Sequence, residues 1–351
     1  MDLDRPQMSE VDPAGMRHRI GELPKQLLDG WQLVKELTLP EDYRQVTKVV
    51  ILGMGGSAIG ADLVRALAES TSPVPILVVR EYNAPEFVDS STLAIASSYS
   101  GDTEETLSAL DEAIARGAKC AATGTGGILK QRAEDVGIPF IQFDYQSPPR
   151  AALGYSFICL AGLLRSAGLL SLREGDLQET VSVMRDWQEE IAPEVPTQDN
   201  AAKRLAQSLH GRLPVVYGAG VLSEVARRWK GQFNENAKSW GFFEVMPELN
   251  HNAVLGYVNP QEMAQRLFVL MLRSHADHPR VKVRYDITAE LLADRGIDHT
   301  RVWARGDSPL AQVFSSIHFG DYVSLYLAWL YSADPTPVDA IEYLKRRLAQ
   351  A

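Results

Sequence analysis

Two stretches of this chain run from an apolar, β-branched strand through glycine into an amphipathic helix, and this repeated unit limits the folds open to it. The first is VVILGMGGSAIGADLVRALAE and the second is LPVVYGAGVLSEVARRWKGQ. Their likeness suggests a duplicated α/β unit. Continuous apolar runs separated by helices are buried on both faces, which indicates a parallel sheet covered by helices on each side. After a polar start, residues 16–37 read as helical with a break near Pro24. Strands are predicted at residues 46–53, 73–80, 91–98, 118–124 and 138–144, with helices at 58–68 and 103–117. Ser147, Pro148 and Pro149 are consecutive breaking residues ahead of helical 151–166, so the domain boundary is expected there, giving units 1–150 and 151–351. The second unit should carry a strand at 213–218, a helix at 222–238, and strands near 241–245, 266–272 and 301–304. Helices should follow the last two strands, and Pro335 and Pro337 should separate two C-terminal helices within 321–351. The fold class expected is α/β: two doubly wound subdomains, each a parallel sheet flanked by helices, with added C-terminal helices.

The 351 residues are 45% hydrophobic, enough for two cores of ordinary size. Asp and Glu number 45 against 35 Lys and Arg. That balance gives no electrostatic footprint for nucleic acid or an anionic membrane, and an anionic ligand must be held locally. Cys120 and Cys159 sit in apolar runs without metal-ligand spacing, so buried thiols in a reducing compartment are expected. The first twenty residues lack the apolar core of a signal peptide, and no later run has the length of a membrane span. A soluble, cytoplasmic protein is the expectation.

The first candidate site is Gly53-Met54-Gly55-Gly56-Ser57-Ala58, where a strand passes through glycines into a helix whose free amides attract an anion. The same letters fit the dinucleotide pattern G-x-G-x-x-G/A, with Glu81 as a ribose ligand, and also fit a purely structural turn. The second candidate is more telling. Ser98-Tyr99-Ser100-Gly101-Asp102-Thr103 ends a strand and opens a helix, clustering three hydroxyls at free helix amides. Helix capping explains Thr103 but leaves Ser98, Ser100 and Gly101 unexplained. Gly56, Ser57, Ser98, Ser100 and Thr103 are therefore candidate phosphate ligands. Both loops leave the carboxyl ends of parallel strands, where open α/β sheets bind ligands. A polar serine loop is poorly suited to a nicotinamide dinucleotide.

The segments GMGGSAIGADL and SSYSGDTEET, and above all NENAKSWGFFEVMPELNHNAVLGY, resemble the bifunctional phosphoglucose/phosphomannose isomerases, which are built from two sugar-isomerase (SIS) subdomains. The resemblance covers most of the chain. It implies a metal-independent aldose–ketose isomerisation of glucose 6-phosphate and mannose 6-phosphate with fructose 6-phosphate, through an enediolate. It further implies Glu235 as the base, Arg150 as the cation facing the enediolate, His251 as a ring-opening group supplied across a homodimer, and Lys345 as a second ring-opening group. Those residue types suit the roles: histidine exchanges protons near neutrality and arginine keeps its charge. The carboxylate Glu235, taken by itself, is equally a solvated helix residue, His251 a surface loop group, Arg150 a first-turn residue, and Lys345 part of a basic terminal helix. Ala58 stands where some members carry glycine. No cofactor or metal is expected; His275 and His278, at helical spacing, read as a surface turn. The competing classes are a non-catalytic SIS module that senses a phosphosugar, which needs the phosphate loops alone, and a nicotinamide-dependent oxidoreductase.

Overall fold

A computed structural model of the chain describes residues 2–5, 10–348 and 350. The helices α1 (Met16–Gly21) and α2 (Leu23–Val34) meet at Glu22, with Pro24 in the first turn of α2, where its missing N–H costs nothing. The first sheet is built from β1 (Lys48–Gly53), β2 (Ile76–Val79), β3 (Thr92–Ser97), β4 (Lys119–Gly124) and β5 (Phe140–Gln142), all parallel, in the order β2-β1-β3-β4-β5. Its helices are α3 (Gly55–Ala68), α4 (Glu104–Ala115) and α5 (Gly127–Val136), joined by α6 (Leu153–Ser166). The apolar strand sequences are explained by burial on both faces: Val49 and Ile51 of β1 enter the central core, while Val50 and Leu52 enter a smaller one with Ala109, Leu110 and Leu129 from α4 and α5. Helix α6 packs on α2 and α3, so the first sheet takes one of its covers from beyond residue 150.

The second sheet comprises β6 (Leu213–Ala219), β7 (Phe242–Met246), β8 (Leu267–Arg273) and β9 (Asp298–Trp303), parallel, in the order β7-β6-β8-β9. Around it lie α7 (Glu174–Ile191), α8 (Ala201–Leu209), α9 (Ser223–Glu235), α10 (Pro279–Asp294), α11 (Pro309–Leu330) and the terminal α12 (Asp339–Leu348). The helix expected at 222–238 stops at Glu235, because Lys238 three residues on has φ 52, outside the right-handed helical region. The largest core joins the two sheets, from Ile51 of β1 to Leu270 of β8, and takes in residues of α11. From Leu310 to Leu330 every residue of α11 is buried. Cys120 and Cys159 are free, buried thiols, each pushed up to about 12 by burial. No described helix is long and apolar enough to cross a membrane.

His318, at the middle of α11, lies with its Nε2 3.1 Å from the Ile20 carbonyl, and burial pulls its pKa down to about 4. An unfolded chain takes up a proton near pH 6.5 that the folded chain refuses until about pH 4. This contribution is complete above pH 6.5 and is lost as pH falls through that window, by roughly 3 kcal/mol in all. Urea midpoints measured across that window should fall with pH in the wild type, and less steeply in His318→Gln.

Candidate active site

The site begins at the glycine turn after β1. Gly55 has φ 50, a conformation glycine adopts freely, and starts α3. A side chain at Gly56 would come within 3.0 Å of the Pro149 carbonyl and 3.1 Å of the Arg150 amide nitrogen. Its absence allows the first turn of α3 to press on residues 149–150. The buried Ser57 Oγ accepts from the Tyr99 amide at 3.1 Å, tying the glycine turn to the loop after β3.

That second loop is internally braced. Ser98 Oγ accepts from the Gly101 amide at 3.1 Å and lies 2.9 Å from Thr103 Oγ1, while the exposed Ser100 Oγ accepts from the Asp102 amide at 3.2 Å. Gly101 (φ 80) fits only as glycine, since a side chain there would overlap the Gly126 carbonyl at 2.0 Å. Thr103 occupies the N-cap position of α4, but its side chain caps none of the helix amides. The capping explanation therefore fails in detail: the Thr103 hydroxyl is spent on Ser98, and the first-turn amides of α4 have no side-chain cap. Two hydroxyls sharing one bond leave one O–H free, and Ser57 and Ser100 each act as acceptors with their own hydrogen unspent. These donors and the α4 amides suit an anionic oxygen cluster.

Arg150, the residue pressed by Gly56, is 3% exposed. Its Nε donates to Asn236 Oδ1 at 2.7 Å, and its Nη2 donates to the Pro335 and Thr336 carbonyls at 2.6 and 3.0 Å. Its Nη1 faces Glu235 Oε2 at 3.4 Å. Burial draws the guanidinium below its usual pKa, with Glu235 opposing that effect. Three of these four acceptors are neutral oxygens, so they orient the guanidinium without cancelling its charge.

The Glu235 side chain is 34% exposed and lines a groove of about 560 Å³ with Asn234, Lys238 and residues of the segment leading into α12. Lys238 was not among the sequence candidates. Its ammonium donates to the carbonyls of Glu235, Pro335 and Pro337 at 2.5, 3.3 and 2.7 Å, which uses all three hydrogens. Burial and then the nearby Arg150 lower its pKa. Arg150 and Lys238 together pin residues 335–337 over the end of α9.

The two remaining candidates stand apart. His251 is exposed at the end of a short 3-10 turn after β7, and no hydrogen bond or ion pair joins it to Glu235 or Arg150. Lys345 is exposed on α12, which buries none of its side chains among the described residues. His275 and His278 are exposed as expected, one stacked on Trp303 and the other capping α10. Glu81 is exposed beyond β2.

The two glycine turns of the duplicated unit differ in what surrounds them. Gly220 repeats the φ of Gly55, and His278 caps α10 at the position Thr103 holds before α4. After the turn, however, Gly56 and Ser57 are replaced by Val221 and Leu222. The loop after β8 also carries its own carboxylate: Asp277 Oδ2 accepts from the Ser274 amide at 3.0 Å, and its Oδ1 would lie 3.9 Å from a side chain at Gly220. Burial raises the pKa of Asp277. A buried carboxyl group and two apolar side chains stand where the first crevice presents hydroxyls.

Several known proteins are similar to this chain. Residues 198–348 match the family model described as the bacterial phospho-glucose isomerase C-terminal SIS domain. The chain is 44% identical over 336 residues to the bifunctional phosphoglucose/phosphomannose isomerase of Caldicellulosiruptor bescii, covering 95% of this chain and 99% of that protein. It is 36% identical over 311 residues to the protein of the same name from Aquifex aeolicus, covering 88% and 93%. The crystal structure of a hypothetical protein from Thermus thermophilus shares the fold, with a TM-score of 0.75 at 17% identity over 99% of this chain and 93% of that one. The matched length includes both glycine turns, the serine loop and the Arg150–Glu235 pair, and the chain belongs to the bifunctional phosphoglucose/phosphomannose isomerase family.

Proposed function

We propose that the protein interconverts fructose 6-phosphate with glucose 6-phosphate and mannose 6-phosphate by proton transfer through an enediolate. The observation that carries this reading is the contact between Arg150 and Glu235: a buried, permanently charged donor held by neutral oxygens beside a solvent-reached carboxylate. The phosphate is bound by Gly56, Ser57, Ser98, Ser100 and Thr103 in the unit 1–150, and the base comes from the unit 151–351. In the open-chain aldose, Glu235 takes the C2 proton and the C–H electrons form the C1–C2 double bond. Negative charge gathers on the C1 oxygen as its carbonyl opens. Arg150 stabilises that charge; the hydroxyl proton passes from the C2 oxygen to the C1 oxygen, and return of the carbon-bound proton to C1 leaves the C2 carbonyl of the ketose. Glucose and mannose 6-phosphates differ only at C2, so one enediolate serves both. Supply of both aldoses to the purified protein in a coupled assay, with and without chelator, tests the reading: both are converted, and chelator changes nothing.

Ring opening is assigned to His251 and Lys345, with His251 contributed by the second subunit of a cytoplasmic homodimer. The reading is supported by the exposure of His251 away from Glu235, and by apolar side chains left open on the same edge of the second sheet, Trp240 at 72% and Leu255 at 76% exposure. Glu235→Gln and His251→Ala chains, each inactive alone, are expected to regain roughly a quarter of wild-type activity when dissociated and reassociated together, because half the dimers are mixed and each holds one intact site. No recovery would place His251 in its own subunit's site.

Loss of one hydroxyl from the phosphate seat should weaken binding more than it slows turnover. Ser98→Ala removes a donor to a charged ligand and the brace on Gly101, and is expected to raise KM for fructose 6-phosphate by about 10- to 100-fold with a smaller change in kcat.

A further inference from the structure

Helix α11 lines none of the groove, yet it reaches Arg150 by two routes. Asp321 Oδ2 accepts from Arg228 Nη2 at 2.9 Å, and the same Nη2 donates to the backbone carbonyl of Arg150 at 2.9 Å. One turn further along α11, Ser324 Oγ accepts from Asn236 Nδ2 at 3.0 Å and donates to the Asp321 carbonyl at 2.7 Å. The other end of the Asn236 amide accepts from Arg150 Nε at 2.7 Å. One route fixes the Arg150 backbone, and the other fixes its guanidinium.

All four intermediaries are buried: Asp321 is 4% exposed and Arg228 4%, with Asn236 and Ser324 wholly enclosed. A buried ion pair adds little stability over a packed apolar pair and leaves a stranded charge when broken. Its presence on a wholly buried helix that also carries Phe314, Ile317, Val323 and Leu327 is hard to explain by stability alone. The Asn236 amide also has a single useful orientation, since flipping it would turn its N–H groups toward the guanidinium. Both features have the same outcome, which is that Nη1 of Arg150 points at Glu235.

We propose that Asp321, Ser324, Arg228 and Asn236 are positioning residues for Arg150, setting the rate of turnover rather than the affinity for the phosphosugar. The inference rests on the reading of Arg150 as the cation that meets the enediolate.

The test compares Asn236→Ala, Asn236→Asp, Ser324→Ala and Ser324→Thr in the full-length protein, with Arg150→Lys as the control. For each, kcat and KM for fructose 6-phosphate are measured with the inhibition constant of a five-carbon aldonate phosphate, whose planar carboxylate imitates the enediolate. Asn236→Ala is expected to lower kcat about 10- to 100-fold with KM within about twofold, and to weaken the inhibitor by the same factor as kcat. Ser324→Ala should move both in the same direction by less, and Ser324→Thr, which keeps the hydroxyl, should restore them. Asn236→Asp holds the guanidinium but neutralises it, so it should also lose kcat and inhibitor affinity together. If Asn236→Ala and Ser324→Ala lower only the melting temperature while kcat and the inhibition constant of the folded enzyme stay at wild-type values, the inference is overturned. If Arg150→Lys itself leaves kcat unchanged, the reading beneath it has failed instead.

Discussion

Glu235→Gln is expected to lower kcat in both directions by about 10²- to 10⁴-fold while fructose 6-phosphate still binds. The amide keeps the shape of the carboxylate but cannot accept the C2 proton. The structural cost is small, because Glu235 makes one contact with Arg150, at 3.4 Å, and a third of its side chain is open to solvent. A long, part-exposed ion pair contributes little to folding. Urea unfolding of the variant should therefore track the wild type closely. A variant with wild-type turnover would remove Glu235 from the chemistry while leaving the phosphate loops intact.

The second large effect is expected at Arg150→Lys, and there activity and stability should fall together. An ammonium on a flexible stem cannot reach Asn236, Glu235, Pro335 and Thr336 from one position as the guanidinium does. Carbonyls left unpaired in a buried site cost about 1–3 kcal/mol each, and loss of an oriented charge at the reacting oxygen costs about 10²- to 10³-fold in kcat. Steady-state kinetics and urea unfolding of the same preparation separate the two. The Arg150 result thus differs in kind from the Glu235 result, where only turnover moves.

Much of the fold is legible in the chain because its strands are short, continuously apolar and set between helices. The run at 46–53 contains β1 and the run at 213–218 covers all of β6 but Ala219, and each opens into a glycine turn as the repeat predicts. Other elements are less visible for physical reasons. Helix α11 is buried on every side, so its first half shows no polar face and no helical period to read. Helix α5 begins at Gly126 and Gly127, both with positive φ, which in sequence look like a loop. Helices α7 and α8 lie outside the strand–glycine–helix pattern; the spacing of Leu177, Val181, Met184, Trp187 and Ile191 does mark the apolar face of α7 on inspection.

The site divides in the same way. Its proposed phosphate half comes from two short runs, Gly56–Ser57 and Ser98 to Thr103, each at the start of a helix. Its chemical half is assembled from Arg150, Glu235 and the carbonyls of residues 335–336, separated by 85 to 186 positions. Residue types and spacing cannot announce such a meeting. Asn236 was visible beside Glu235, but its role depends on Ser324, 88 residues away. The second crevice shows the converse limit: its glycine turn repeats the first, but Val221, Leu222 and the side chain of Asp277, arriving from another loop, take the places that hydroxyls hold in the first.

Proton transfer between C1 and C2 by Glu235 is the central claim, and incubation of the protein with fructose 6-phosphate in deuterium oxide tests it most directly. Proton NMR of the wild-type reaction should show glucose 6-phosphate and mannose 6-phosphate forming with deuterium entering at C2, and Glu235→Gln should yield neither product. Formation of both aldoses by Glu235→Gln at the wild-type rate, or the absence of either aldose with the wild type, would contradict the account.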